Sequence, residues 1–344
     1  GLSAGLTYTP AMYATDDELI DLCKVVAKHG GYYAPHHRNY GAQFLDAVDA
    51  CIEISRASGS ALHLTHCHMS APVYHDKTEL LFERIEKAEH VGIDITLDTY
   101  PYLAGSTYLH ALLPSWAQAG GVDQMAQRLR SAEVRSRVIA ALNTTGSDGN
   151  QGGVVNWKII VVAGVEASLD LVGLSIEEAA KRNQQEPASF YLDLIAKENY
   201  RASCVIFSGH EGNVRSIMQH PKHMVGSDGI LTGNRPHPRS YGTFARYLGH
   251  YAREEKVITF EGAINRMTGR PAARLGLTDR GLIKEGMHAD LVMLDAASVI
   301  DRSTYENPRL PAAGFEYVWI GGVATLAQGA RTSNLPGRAI RSTS

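Results

Sequence analysis

Two histidines and an aspartate stand at matched places in this chain. His36 closes the run Gly31-Tyr32-Tyr33-Ala34-Pro35-His36, and His66 closes Ala61-Leu62-His63-Leu64-Thr65-His66. Asp228 closes Met224-Val225-Gly226-Ser227-Asp228 ahead of Gly229. Each run reads as a short buried strand, so each polar residue falls at a strand's C-terminal end. Imidazole is a favoured zinc donor, and a catalytic zinc keeps one position open for water. Such a metal brings the pKa of its water toward neutrality, and a nearby carboxylate can carry the proton to a leaving group. Plainer readings compete. A single strand-end histidine is more often a hydrogen-bonding residue than a ligand, and Asp-Gly is a common turn pair. Two histidines at the same position in successive units bring the metal reading level with the plain one.

Strand parity adds neighbours. Alternate strand residues share a face, so Arg38 points with His36, His68 with His66 and Tyr100 with Asp98, while Cys67 has the opposite parity and reads as packing. Arg239 lies in His237-Pro238-Arg239-Ser240-Tyr241-Gly242-Thr243-Phe244, a loop after the Asp228 strand. A guanidinium there can hold a carboxylate through two parallel hydrogen bonds; a solvated loop arginine is the alternative. His29, His63, His75, His90, His110, His220 and His250 lack a positional argument and read as surface or structural residues.

The elements that position these residues follow a rhythm. Strand ends fall near Tyr8, His36, His66 and Asp98, about 30 residues apart, which is the spacing of consecutive βα units. Between them lie helices: one from Thr15 with Glu18 as a capping box and a stripe of Leu19, Leu22, Val25 and Val26, a second through Phe44–Ile52 ending before Gly59, and a third through Leu80–Ala88. No GxGxxG follows the first strand, which disfavours a dinucleotide fold. Polar residues instead gather at strand C-terminal ends, where barrel enzymes build active sites. The rhythm fails after Tyr102: residues 103–200 read as an insertion able to fold over the strand ends, with one β run at Ile159–Val162. It returns with the strand Cys204-Val205-Ile206-Phe207, a short helix from Asn213 and the Asp228 strand. From about 280 the pattern becomes a small β module, with strands at Ala289–Asp295 and Tyr317–Gly322. The expected fold class is α/β, and the expected division is barrel over 1–275 and β module over 276–344.

Composition narrows the function. Hydrophobic residues make up 44% of the 344 and charged residues 20%, as in a globular enzyme with a full core. A net charge of −3 argues against an electrostatic grip on nucleic acid or an anionic membrane. No apolar run approaches the roughly 20 residues that span a bilayer. Four cysteines without regular spacing point to a reduced, cytoplasmic compartment.

These segments together are similar to the D-aminoacylase (N-acyl-D-amino-acid deacylase) branch of the amidohydrolase superfamily. The matching stretches are GLSAGLTYTP at the start, PHHRN around His36, LTHCH around His66, LDTYPY around Tyr100, GSDG around Asp228, HPRSYGTF around Arg239, MTGRPAARLGL from Met267 and GMHADLVMLD from Gly286. HPRSYGTF preceded by GSDG is the most specific combination. The resemblance implies part of a metal-dependent-hydrolase TIM barrel with a small β-sandwich made from both chain ends. It implies that His36 and His66 ligate zinc and that Asp228 is general base and acid. Tyr8, Arg38, His68, Tyr100, Ser106 and Arg239 would then surround a small N-acyl-D-amino-acid substrate, Arg239 holding its α-carboxylate.

Two departures accompany it. The family's early HxH motif and a ligating cysteine have no counterpart, and the chain opens at Gly1-Leu2-Ser3, so the resemblance implies an N-terminally truncated chain, inactive by itself. His68 stands where a lysine that helps bind the substrate carboxylate is common. Two alternatives stay open: a cyclic amidase of the hydantoinase or dihydroorotase kind, against which stands the lack of a strand-end lysine, and a catalytically inert chain.

Overall fold

A computed structural model describes residues 1–150 and 152–340. They form two compact units.

The first unit comprises residues 1–98, 102–217 and 229–237. It opens with β1 (Leu2–Gly5), α1 (Asp16–Lys28), β2 (Tyr32–His36), α2 (Phe44–Ser58), β3 (Ala61–Leu64), α3 (Glu79–His90) and β4 (Ile95–Thr99). The four strands pair in parallel in that order, Leu2 opposite Tyr33, Tyr32 opposite Ala61 and Leu62 opposite Ile95. Short strands of this kind need crossover helices, and the sequence supplies their punctuation. Thr15 Oγ1 accepts from the Glu18 N–H at 3.2 Å to start α1, and Gly59, at φ 72°, ends α2. Tyr33, Leu62, Leu64, Ile95 and Leu97 are fully buried between strand layer and helices. The stripe on α1 is narrower than expected: Leu19 and Cys23 are buried, whereas Leu22 and Val25 are about half exposed. The helix packs along one i, i+4 seam and needs no wider face.

The same unit holds the insertion. Here β5 (Gly105–Tyr108), β6 (Ile160–Gly164) and β7 (Ser203–Ile206) make an antiparallel sheet with β7 in the centre. This corrects the reading of Cys204-Val205-Ile206-Phe207 as the return of the βα rhythm. All four β7 residues are buried, and a central strand covered on both faces gives the same unbroken apolar run whether its neighbours are parallel or antiparallel. The sheet has its own core, including Leu109, Leu112, Val138, Leu142, Ile160, Ile176, Tyr191 and Ile195.

The second unit comprises residues 99–101, 218–228 and 238 onward. Its strand β8 (His223–Val225) is buried throughout, and it leads to Asp228. Two arginines of the segment around Met267 hold the strand's start: Arg266 donates to the carbonyls of His220 (2.9 Å) and His223 (3.1 Å), and Arg270 to those of Pro221 (2.7 Å) and His223 (2.9 Å). The C-terminal β module is the antiparallel sheet β9 (Leu291–Leu294), β10 (Phe315–Ile320), β11 (Val323–Ala327) and β12 (Ala330–Arg331). Among the described residues no helix is long and apolar enough to cross a membrane.

Candidate active site

The first unit brings His36 and His66 together: His36 Nδ1 lies 3.1 Å from His66 Nε2, and the rings meet edge to face at 4.7 Å. His36 is the last residue of β2. His66 is not on its strand, because β3 stops at Leu64 and the backbone at His66 turns left-handed, φ 32°. The parity expected to carry from His66 to His68 therefore does not operate. His68 is buried, and its N–H donates to the His66 carbonyl at 2.8 Å. Arg38 sends its guanidinium to the Ala14 carbonyl (2.8 Å) and to Asp16 Oδ1 (2.9 Å), at the start of α1.

Each imidazole of the pair is held by its outer nitrogen. His36 Nε2 hydrogen-bonds Thr7 Oγ1 at 2.7 Å, and His66 Nδ1 hydrogen-bonds Tyr40 Oη at 2.9 Å, while Tyr40 Oη also accepts from the His37 N–H at 3.0 Å. The Tyr8 ring lies 4.8 Å from that of His36, and its hydroxyl meets Thr107 Oγ1 of β5 at 2.8 Å. Ser106 precedes Thr107 on the alternate face of β5, paired in register with Val205.

Beneath the pair lies a carboxylate the sequence leaves without a role. Asp98 Oδ1 accepts from the His66 N–H at 2.7 Å, and its Oδ2 faces His63 Nε2 at 2.9 Å; His63 Nδ1 reaches Thr96 Oγ1 at 2.8 Å. Burial alone would raise the Asp98 pKa, but its hydrogen bond and charge contact with His63, together with His66, outweigh it and hold the carboxyl below its ordinary value. A left-handed non-glycine residue costs about 1–2 kcal/mol, and an ordinary hydrogen bond contributes about 0.5–1.5 kcal/mol, so the His66 N–H bond to Asp98 offsets a cost of the same order. His37 is fully buried between the Tyr40 and Phe44 rings, and burial first, then the nearby His66, pushes its pKa down to about 3.

The arrangement fits a zinc. Two nitrogens about 2.05 Å from one tetrahedral ion lie roughly 3.3 Å apart, close to the separation of this pair. The outer nitrogens are oriented by oxygen partners, as ligating imidazoles require. Among the described residues no group of three or more His, Cys, Asp or Glu side chains able to hold a metal comes together, so the pair contributes two donors.

The second unit assembles the other predicted residues. Arg239 is almost wholly buried, 2% exposed, and its Nη2 lies 3.0 Å from Asp228 Oδ2. The guanidinium carbon sits 4.4 Å from the centre of the Tyr100 ring. The solvated-loop reading of Arg239 is thereby excluded: the loop starts a helix, Arg239–Arg246, and the side chain turns inward. A desolvated guanidinium with a carboxylate and an aromatic face around it is suited to planar anions. Asp228, at φ 39°, shares with His66 the left-handed backbone that non-glycine residues adopt sparingly and that gathers at functional sites.

Thr7, Tyr40 and Asp98 are the residues that sequence reasoning missed. Asp98 carried a signal, a carboxylate at the fourth strand end, whereas a threonine one residue before Tyr8 and a tyrosine four after His36 carry none.

A family model described as "Amidohydrolase family" matches residues 1–325. The N-acyl-D-glutamate deacylase of Alcaligenes xylosoxydans xylosoxydans is 33% identical over 99% of this chain and 60% of its own length, and the D-aminoacylase of the same organism 31% identical over 100% and 61%. A solved D-aminoacylase, studied for its binuclear metal centre, superposes with a TM-score of 0.77 at 29% identity over 97% of this chain and 61% of that one. N-acyl-D-glutamate deacylase from Bordetella bronchiseptica, complexed with zinc and a phosphonate mimic of the tetrahedral intermediate, gives 0.76 at 28% over 96% and 61%. The chain thus spans about 60% of the length of the curated relatives it matches. The expected α/β hydrolase fold, parallel barrel strands with a separate β module, is borne out. On the model match over residues 1–325, this chain belongs to the amidohydrolase family.

Proposed function

We propose that this chain is the larger part of a zinc-dependent hydrolase that cleaves the amide bond of N-acyl-D-amino acids to a carboxylate and a D-amino acid. The observation that carries the reading is the His36–His66 pair, inner nitrogens 3.1 Å apart and outer nitrogens braced, in a chain about 30% identical to deacylases of this kind. His36 and His66 would hold the zinc, which when bound supplies a hydroxide-like nucleophile at neutral pH. Asp228 takes the proton of the attacking water and returns it to the departing amine. Arg239, packed on Tyr100, receives the substrate α-carboxylate, which competes with Asp228 for the guanidinium and so couples substrate binding to release of the base. Tyr8, its ring 4.8 Å from that of His36, stands beside the imidazole pair, and Ser106, His68 and Arg38 are the remaining proposed substrate-binding residues.

The proposed division keeps residues 1–275 as barrel with its insertion and 276–344 as β module, supported by the antiparallel sheet of β9–β12. The four cysteines are all buried free thiols, which supports a reducing, cytoplasmic setting.

Hydrolysis of N-acetyl-D-methionine measured beside hydantoin tests the reading. The zinc-loaded enzyme carrying this chain is expected to deacetylate the first and leave the second untouched, and R239A is expected to raise KM for the N-acyl amino acid. Turnover of hydantoin instead would replace the deacylase by a cyclic amidase. A second reading, that these residues by themselves are inert, is favoured by the meeting of only two metal donors among the described residues. Metal analysis showing less than about one zinc per chain would support it.

A further inference from the structure

We infer that Asp98 is a positioning residue for the imidazole pair, acting through the backbone of His66. This rests on the reading of His36 and His66 as zinc ligands and adds a residue to it. The geometry is specific. Because β3 ends at Leu64, nothing in the strand ladder fixes the direction of the His66 ring. The left-handed turn at His66 sets it, and the His66 N–H is held by Asp98 Oδ1 at 2.7 Å. A second bond ties the same two strand ends: the Cys67 N–H donates to the Asp98 carbonyl at 2.7 Å. The carboxylate is itself fixed from below, since His63 Nε2 meets Oδ2 at 2.9 Å and His63 Nδ1 is anchored on Thr96 at 2.8 Å. A chain of contacts Thr96–His63–Asp98–His66 thus runs along β3 and β4 into the pair. Without the acceptor the left-handed turn loses its support, and the ring swings away from His36.

What His66 requires of residue 98 is an acceptor oxygen, not a negative charge. In D98N the amide oxygen still accepts the His66 N–H, and the amide nitrogen donates to His63 Nε2, which accepts once its proton sits on Nδ1. In D98A both bonds vanish.

The experiment compares wild type, D98A and D98N in two arms. In the zinc-free arm, histidine-labelled chains are examined by NMR for the His36–His66 ring-to-ring contact and the hydrogen-bonded His66 amide proton. Both signals are expected in wild type and D98N and lost in D98A. In the zinc arm, competition with a chromophoric chelator is expected to show D98A binding about 10–100-fold more weakly, with D98N close to wild type. A folded D98A that keeps the ring contact and wild-type zinc affinity overturns the inference, as does a D98N as impaired as D98A, which would make charge the operative property. If D98A does not fold, D98N decides alone: retention of both NMR signals supports the inference, and their loss overturns it. Wild type that binds no zinc supports the reading of these residues as inert by themselves, while the zinc-free arm still decides the role of Asp98.

Discussion

The first unit contains two sheets with opposite logic. In β1–β4 every strand runs the same way, so all four C-terminal ends share one edge, and Tyr8, His36, His66 and Asp98 collect there. In the insertion β5 and β6 run against β7, so strand ends alternate between edges, and of the expected site residues only Ser106 falls on it. Both regions are fully packed: Leu62, Leu64 and Ile95 in one and Leu112, Ile160 and Ile176 in the other are all 0% exposed. The difference lies in where polarity is allowed. Parallel strands concentrate chemistry at one rim and leave the interior apolar, while the antiparallel sheet distributes its ends and serves as a wall.

The largest effects should separate the rim from the wall. H36A or H66A removes a metal donor at the rim, so zinc affinity should fall by more than the 10–100-fold typical of losing an outer partner, with little change in melting temperature. L112A, in the insertion core, should do the reverse, costing about 2–5 kcal/mol in denaturant unfolding and leaving zinc affinity near wild type. L64A tests the division from the other side: it lies in the parallel-strand core two residues before His66, so it should lower both stability and zinc affinity. If L112A weakened zinc binding as strongly as L64A, the wall would be part of the metal site and the contrast would fail.

This contrast also explains what the sequence disclosed. The parallel region was legible because strand, helix stop and polar end recur at one spacing, and His36 and His66 were found by that recurrence. The insertion was not: β5 is four residues, Gly105-Ser106-Thr107-Tyr108, without an apolar pattern, and β7 mimics a barrel strand because both its faces are covered. At the site, Arg239 was identified while its burial was not, since a short polar segment says nothing about which way a side chain turns. Tyr40 and Thr7 were invisible because their role depends on a hydrogen bond across two strand ends, a relation that no local spacing encodes.

Acid should reach both regions through imidazoles, one buried and one half-buried, and unequally. His37, at the rim, has its pKa pushed from 6.5 to about 3, chiefly by burial; His110, in the insertion, is lowered by burial as well, and a backbone contact with Tyr200 opposes the shift. The folded state holds His37 neutral and disfavours protonation of His110, while the unfolded chain takes up protons below 6.5, so the unfolded state binds more protons as the pH falls. Stability is therefore complete above about pH 6.5 and declines as the pH drops from there toward 3, with a slope of at most about 1.4 kcal/mol per pH unit for His37. Urea unfolding at pH 7 and pH 5 should show the loss in wild type and a smaller one in H37F. An equal loss in H37F would assign the acid sensitivity elsewhere.

The smallest expected difference lies in two helix caps, one from each region. Thr15 contributes one bond to α1, from the Glu18 N–H at 3.2 Å, whereas Ser175 forms a reciprocal box with Glu178: Ser175 Oγ accepts the Glu178 N–H at 3.2 Å, and Glu178 Oε2 accepts from the Ser175 N–H and hydroxyl, each at 2.8 Å. Alanine at a cap of this kind costs about 0.5–2 kcal/mol. T15A removes one bond from a 13-residue helix whose first turn keeps three acidic side chains, so it should fall near the lower end. S175A takes the hydroxyl's two bonds from a helix of seven residues, Ile176–Arg182, and leaves the Ser175 N–H bond in place, so it should fall near the upper end. Melting curves of the two variants measure the difference directly. A larger loss for T15A would show that the short insertion helix draws its stability from the packing of Ile176, Ala179 and Ala180 and not from its box.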